Sequence, residues 1–176
     1  IWFAGRGGIS CYDGFGWKNY NVGTGLPVNN FYRIDSDDQG RLWACSRSIY
    51  YGLFNFRDGQ WTRIASQPFI SGSDTYISSL KTFSSGDTIS VLMGTLDEGV
   101  LIWKNNFWSR FNEADGKPTG RVFNIISFDG QLLILTSGGM FSYDGTRFRP
   151  YTLPELPHGQ IVGIGADSSA GSVCGK

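Results

Sequence analysis

The chain has 176 residues, which suits one domain with a sizeable core, and its 15 basic residues balance 15 acidic ones. This balance leaves no basic face and argues against nucleic acid as a partner. Aromatic residues make up 15% of the sequence and charged residues only 17%, and 25 glycines are present, a composition that favours strands joined by tight turns.

Four short apolar segments predict one strand each and recur along the chain. They occupy residues 1–4, 42–45, 91–94 and 132–135, and a degraded copy begins at residue 173. The starting positions 1, 42, 91, 132 and 173 are therefore 41 to 49 residues apart. Repeats of this length that hold four strands are typical of propeller blades.

Three further segments follow each apolar strand in the same order. The first begins with Gly and ends in an Asp-Gly or Asn-Asn turn, whose residues tolerate the positive φ of a tight hairpin. The next carries an aromatic residue, and the last is a strand that follows a polar loop, at residues 31–34, 76–80, 122–125 and 161–164. The in-phase aromatic residues are predicted to pack between blades; they are Trp17, Trp61, Trp108 and Phe148.

These patterns predict an all-β fold, a β-propeller segment of four consecutive four-stranded antiparallel blades. The repeats span approximately residues 1–41, 42–90, 91–131 and 132–172 of one propeller segment, residues 1–176. Each repeat starts at the second strand of a blade, so a closed four-bladed ring would need only residues 161–166 to complete the first blade. The additional strand start at residues 173–174 and the first residue, Ile1, indicate a fragment of a larger ring of six to eight blades.

One stretch resembles a known repeat. Residues 25–31 read Gly-Leu-Pro-Val-Asn-Asn-Phe, and Ile34, Asp37, Gly40 and Leu42-Trp43 follow at set intervals. This pattern resembles the two-component regulator propeller repeat, and the similarity covers nearly the whole chain in four imperfect copies, with Gly-Leu-Pro only in the first. The resemblance implies a periplasmic sensor region of a membrane-anchored bacterial signal-transduction protein, whose histidine kinase or cyclase module lies elsewhere. It also implies detection of glycan fragments.

Residues 36–43 fit the Ser-x-Asp-x-Gly-x-x-Trp spacing of an Asp-box. In that motif the Asp side chain caps backbone N–H groups of a hairpin while the Trp packs beneath it, so we predict a structural role for Asp37 and Trp43. The acidic run at residues 35–38 resembles part of a calcium loop, but Ser46 stands where a further carboxylate is needed, and no metal site is predicted. The cysteines have no metal-binding spacing and are predicted to be small hydrophobes; they are Cys11, Cys45 and Cys174.

No constellation of catalytic residues is evident. His158 is the only histidine and lies in a polar loop, where a solvated imidazole is the favoured interpretation. Glu113 with Asp115, and Asp97 with Glu98, are the acid pairs to weigh for acid–base chemistry, and both are interpreted as solvated loop charges. Adjacent residues on a strand point to opposite faces, which further argues against Asp97 with Glu98. We therefore predict no catalytic residue, no cofactor and no enzymatic activity for this segment.

The predicted ligand site follows from propeller topology. Loops that enter the innermost strands share one rim with the loops between second and third strands, and here both sets are polar and vary between repeats, as a site grafted on a repeating fold does. Tyr50 beside Arg47 could stack on a sugar ring or pair with a carboxylate. The candidate ligand-binding residues are Arg6, Asn29, Asn30, Arg47, Tyr50, Thr75, Asp97, Glu98, Arg121, His158 and Gln160.

Three functions remain open at this stage. The first is a sensor that binds a small polar molecule or a carbohydrate at the rim. The second is a scaffold that binds another protein or a second copy of the chain. The third is a propeller lyase or glycosidase, which the single histidine supports poorly.

Overall fold

The computed structural model describes residues 1–64, 75–111 and 120–152. Within these ranges the protein is almost entirely β-structure, with two short 3₁₀ turns at Val22–Thr24 and Ile49–Tyr51, and no helix there is long and apolar enough to cross a membrane. The strands are β1 Trp2–Gly5, β2 Gly8–Tyr12, β3 Trp17–Tyr20, β4 Phe31–Ser36, β5 Leu42–Ser46, β6 Leu53–Arg57, β7 Gln60–Arg63, β8 Ile77–Ser85, β9 Thr88–Thr95, β10 Val100–Lys104, β11 Phe107–Phe111, β12 Val122–Phe128, β13 Gln131–Thr136, β14 Gly139–Tyr143 and β15 Phe148–Pro150.

The strands form four antiparallel sheets in chain order: β1 to β3, β4 to β7, β8 to β11 and β12 to β15. The first strands of successive complete sheets contact each other, β4 with β8 and β8 with β12, and their second strands contact the first strand of the next sheet, β5 with β8 and β9 with β12. This is the arrangement of propeller blades around an axis, which confirms the predicted fold class. The strand predicted for residues 161–164 lies outside the described residues, and the six- to eight-bladed ring stays a prediction.

Hairpin turns form where the sequence predicts them. Asp58 and Gly59 both adopt positive φ, of 52° and 79°, as a two-residue turn that follows the twist of its strands requires. Asn105 and Asn106 do the same, with φ of 51° and 64°. These turns fix the register of the third and fourth strands in the second and third sheets.

Apolar clusters join each sheet to the next. Along β5, Ala44 packs toward the first sheet, whereas Trp43 and Cys45 pack toward the third, as the two-residue period of a strand dictates. The rings of Trp43 and Trp103 lie 5.1 Å apart across the second and third sheets. Burial raises the pKa of the Cys45 thiol to about 12, so this cysteine is an uncharged hydrophobe, as predicted.

The first sheet is covered on one side only by the described residues. Phe3 is 48% exposed and Trp17 is 60% exposed, and their rings lie 5.4 Å apart on the open face. The predicted packing between blades holds for Trp61, Trp108 and Phe148, which join the clusters between sheets, but not for Trp17. The reason is that no described sheet precedes the first one, so its in-phase aromatic residue has no neighbouring blade to pack against.

Asp37 has the predicted structural role in the β4–β5 turn. Its Oδ1 accepts hydrogen bonds from the backbone N–H groups of Gln39 and Arg41, at 3.1 and 2.9 Å. Its Oδ2 accepts from the indole Nε1 of Trp43 at 3.0 Å and from Arg41 Nε at 2.9 Å. The motif therefore ties a turn to the strand beneath it.

Candidate functional site

Each complete sheet has an irregularity at the same place in its innermost strand. The register shifts by one residue near the start of β4, β8 and β12, and one residue of each strand is left unpaired. Such β-bulges are frequent at rims and beside binding sites, because they turn a side chain away from the regular alternation. The unpaired residues are Tyr32, Ser78 and Phe123.

Backbone hydrogen bonds bring the two sets of rim loops together. The N–H of Arg47 donates to the carbonyl of Asn30 at 3.3 Å in the second sheet, and the N–H of Leu96 donates to the carbonyl of Tyr76 at 3.0 Å in the third. In the fourth sheet the N–H of Ser137 donates to the carbonyl of Arg121 at 2.9 Å. In these three sheets, therefore, the loop entering the innermost strand lies beside the loop between the second and third strands.

Two arginines and two tyrosines meet on this rim, where the second sheet adjoins the third. The guanidinium carbon of Arg47 lies 5.0 Å from the ring centre of Tyr76 and 5.8 Å from that of Tyr32. The guanidinium carbon of Arg33 lies 4.0 Å from the ring centre of Tyr32. We call these four residues, Tyr32, Arg33, Arg47 and Tyr76, the Tyr–Arg cluster.

The Tyr–Arg cluster carries positive charge without an acidic partner among the described residues. Arg47 is exposed, and its guanidinium forms no ion pair or hydrogen bond there. Arg33 is half-buried and uses Nε and Nη1 to donate to the carbonyls of Ser78 and Tyr32, at 3.0 and 3.2 Å. The cluster therefore offers unused N–H donors beside aromatic rings.

The other predicted rim residues differ in exposure and in whether their side chains already form hydrogen bonds. The side-chain oxygen of Asn29 accepts a hydrogen bond from the N–H of Val22 at 2.8 Å, so it stabilises its own loop. Thr75 is buried, whereas Asn30 and Arg121 are exposed. Arg6 is exposed in the turn between β1 and β2.

The contacts given for the acidic and aromatic candidates are with residues outside the Tyr–Arg cluster. Glu98 forms an ion pair with Arg110, and Asp97 is exposed. Tyr50 is 61% exposed and meets the ring of Tyr51 edge-on at 5.2 Å. The two remaining candidates lie outside the described residues; they are His158 and Gln160.

Sequence reasoning selected Arg47 but missed Tyr32, Arg33 and Tyr76. Both tyrosines occur at strand starts, where the sequence predicted ordinary strand positions. The signal available was that neither tyrosine recurs in the other repeats, which distinguishes them from the in-phase packing residues. The bulge that leaves Tyr32 unpaired has no sequence mark of its own.

The acidic run at residues 35–38 is engaged with protein groups. Asp35 accepts hydrogen bonds from Lys81 Nζ at 2.8 Å and from Thr82 N and Oγ1 at 2.8 and 2.9 Å, which links the second and third sheets. Asp38 accepts from Ser84 Oγ at 2.6 Å. Across the described ranges, no three His, Cys, Asp or Glu side chains are grouped to hold a metal ion.

Comparison with solved structures identifies the same fold in bacterial regulatory proteins. The chain is similar to the extracellular domain of a B. thetaiotaomicron protein described as a one-component system, with 18% identity over 95% of this chain and a TM-score of 0.67. A second structure of that protein's extracellular domain, there described as a hybrid two-component system, matches with 18% identity over 95% of this chain and a TM-score of 0.63. The chain spans 23% and 21% of those two structures.

No protein-family model and no curated protein matches the chain. At 18% identity the solved structures establish a shared fold. Both structures are of the extracellular domain of one B. thetaiotaomicron protein.

Proposed function

We propose that this chain is part of an extracytoplasmic sensor domain of a membrane-anchored bacterial signal-transduction protein, and that its rim binds a small polar molecule or a glycan fragment. The observation that carries the proposal is the fold shared with extracellular domains of a bacterial signalling protein over 95% of the chain. In this proposal the parent protein's output module, a histidine kinase or a cyclase, lies outside these 176 residues.

The rim chemistry supports binding rather than catalysis. Glycoside hydrolysis commonly needs two carboxyl groups facing each other across the scissile bond. Among the described rim residues the carboxylates are Asp97 and Glu98, adjacent in the chain, and Glu98 is already held by Arg110. The unpaired cations and exposed rings of the rim instead suit recognition of a bound molecule.

The proposal is tested by ligand-induced thermal stabilisation of the full-length protein, screened against neutral and charged mono- and oligosaccharides. A compound that binds the folded state raises the melting temperature by mass action. We expect Arg121→Ala, an exposed rim substitution, to reduce that shift. The matched control Arg57→Gln alters an exposed arginine at the far end of β6, away from the rim, and should retain it.

Three results would contradict the sensor proposal. A shift that survives every rim substitution would place the ligand elsewhere. Turnover of the bound compound would favour a lyase or glycosidase. A full panel without any shift, together with a stoichiometric protein complex that rim substitutions disrupt, would favour the scaffold function.

A further inference from the structure

We infer that the Tyr–Arg cluster is the part of the rim that selects the ligand, and that it recognises a carboxylate attached to a ring with an apolar face. This inference rests on the proposed sensing function and assigns it a place and a ligand chemistry. The four residues come from two neighbouring blades, so the site lies across the junction of the second and third sheets.

The charge distribution favours an anion. Two guanidinium groups lie against the ring of Tyr32, at 4.0 and 5.8 Å from its centre. The two like charges share one ring, and the negative face of that ring offsets only part of their repulsion. A bound anion relieves the rest, and the planar guanidinium of Arg47 matches a carboxylate with two parallel hydrogen bonds.

The remainder of the rim reinforces this preference. Arg6 and Arg121 are exposed on the same rim, whereas the charge of Glu98 is neutralised by Arg110. Asp97 is then the one rim carboxylate in the described residues without an ion pair. The described part of this rim therefore carries more positive than negative charge.

The backbone holds the cluster in place before any ligand arrives. The N–H of Arg47 donates to Asn30 in its own sheet, and its carbonyl accepts from the N–H of Ile77 in the next sheet at 2.9 Å. Arg33 crosses the same junction, where its Nε donates to the carbonyl of Ser78 at 3.0 Å. The backbone at Arg47 and the guanidinium of Arg33 are thereby fixed, so ordering them on binding costs little conformational entropy.

The two tyrosines define the uncharged part of the ligand. Tyr32 is 41% exposed beside the buried Phe31, and Tyr76 is 42% exposed immediately before the buried Ile77. Tyrosine gives large contact area at low entropic cost, and its ring packs on the apolar face of a sugar or on another aromatic ring. A sugar acid and an aromatic carboxylate share this chemistry, and the experiment distinguishes them.

Calorimetric titration of the full-length protein with four probes tests the inference. Glucuronate and benzoate carry both a ring and a carboxylate, glucose lacks the carboxylate, and acetate lacks the ring. We expect at least one of the first two to bind about tenfold or more tightly than glucose and acetate, and to weaken as salt is added. Tighter binding of glucuronate would identify a sugar acid, and tighter binding of benzoate an aromatic acid.

Substitutions then assign the binding to the cluster. Arg47→Gln should weaken binding of the preferred probe about 10- to 100-fold, because a charge-assisted hydrogen-bonding partner is lost. Tyr76→Leu should weaken it less, and Arg57→Gln should leave it unchanged. Melting temperatures of all three variants without probe check that the fold is intact.

The inference is overturned if glucose binds as tightly as glucuronate, if Arg47→Gln and Arg57→Gln behave alike, or if none of the four probes binds. A different result decides the sensor proposal. It stands if a neutral compound from the wider saccharide panel still gives a thermal shift that Arg121→Ala reduces, and it falls if no compound in that panel gives such a shift.

Discussion

A single carboxylate organises the β4–β5 turn. Asp37 has a fully buried side chain, and burial alone would raise its pKa. Hydrogen bonds from the Trp43 indole and from the backbone and side chain of Arg41 favour the charged form more strongly, so the pKa lies below its usual value. Asp37 is therefore ionised in the folded state at neutral pH, and this charge contributes to stability.

We expect Asp37→Asn to lower the free energy of unfolding by about 2 kcal/mol at pH 7, since charge-assisted hydrogen bonds are weakened in a buried position. A depressed folded-state pKa means that the unfolded chain binds more protons. The stabilisation from Asp37 is thus present above the unfolded value of 3.8 and is lost as pH falls through the folded value. Urea unfolding should show that Asp37→Asn lowers the free energy of unfolding by less at pH 3 than at pH 7.

Asp87→Asn, in the exposed β8–β9 turn, is the matched control and should change stability little at either pH. A deficit of equal size for Asp37→Asn at both pH values would show that shape rather than charge at Asp37 stabilises the turn.

Between elements, β9 approaches β12 closely. A Cβ atom on Gly94 would lie 2.6 Å from Val122 Cγ1 and 3.1 Å from Val122 Cβ, well inside van der Waals contact. The second strand of the third sheet therefore packs on the first strand of the fourth through backbone that has no side chain. This contact sets how closely two blades can approach.

Gly94→Ala should destabilise the protein by about 1 to 3 kcal/mol, because the added methyl group must displace Val122 or separate two sheets. Equilibrium urea unfolding measures the effect. Gly5→Ala is the control, since a Cβ there meets nothing within 4 Å in a strand of the first sheet. Equal destabilisation by both substitutions would mean that loss of glycine itself, and not the junction of sheets, is responsible.

Element prediction from the sequence succeeded where the determinants are local. Recurring short apolar segments and the Asp58-Gly59 turn predicted strands and hairpins that the structure confirms. Position 94 needs glycine because Val122, which lies 28 residues further along the chain in β12, occupies the space of a side chain. No local sequence pattern indicates this contact. For the same reason Tyr50, a sequence neighbour of Arg47, was selected, whereas the rings that contact Arg47 are those of Tyr32 and Tyr76.

At the scale of the molecule, the sheets differ in how much of their surface is covered. The third sheet has neighbours on both faces, through clusters that include Met93 on one side and Leu92 on the other. The first sheet has a described neighbour on one face, and Phe3 and Trp17 remain exposed on the other. Ala44 and Met93, which correspond to Phe3 in the second and third repeats, are fully buried.

Native-state hydrogen exchange of the 176-residue chain should therefore show β1 to β3 opening at lower free energy than β8 to β11, because local stability follows buried apolar contact. In the full-length parent protein, the predicted larger ring would place another blade on Phe3 and Trp17 and raise protection of β1 to β3. Equal protection of the first and third sheets in the short chain would contradict this account.

The three bulges allow the inner strands to change their chemistry without disturbing the framework. The same bulge position carries a phenol, an alcohol or a hydrocarbon side chain, in Tyr32, Ser78 and Phe123 respectively. Strand pairing resumes immediately after each of these residues. A residue outside the ladder has no cross-strand partner whose fit it must preserve. Gene duplication of such a blade thus supplies copies with an interchangeable residue near the axis, and new recognition properties become accessible by point mutation while the architecture stays constant.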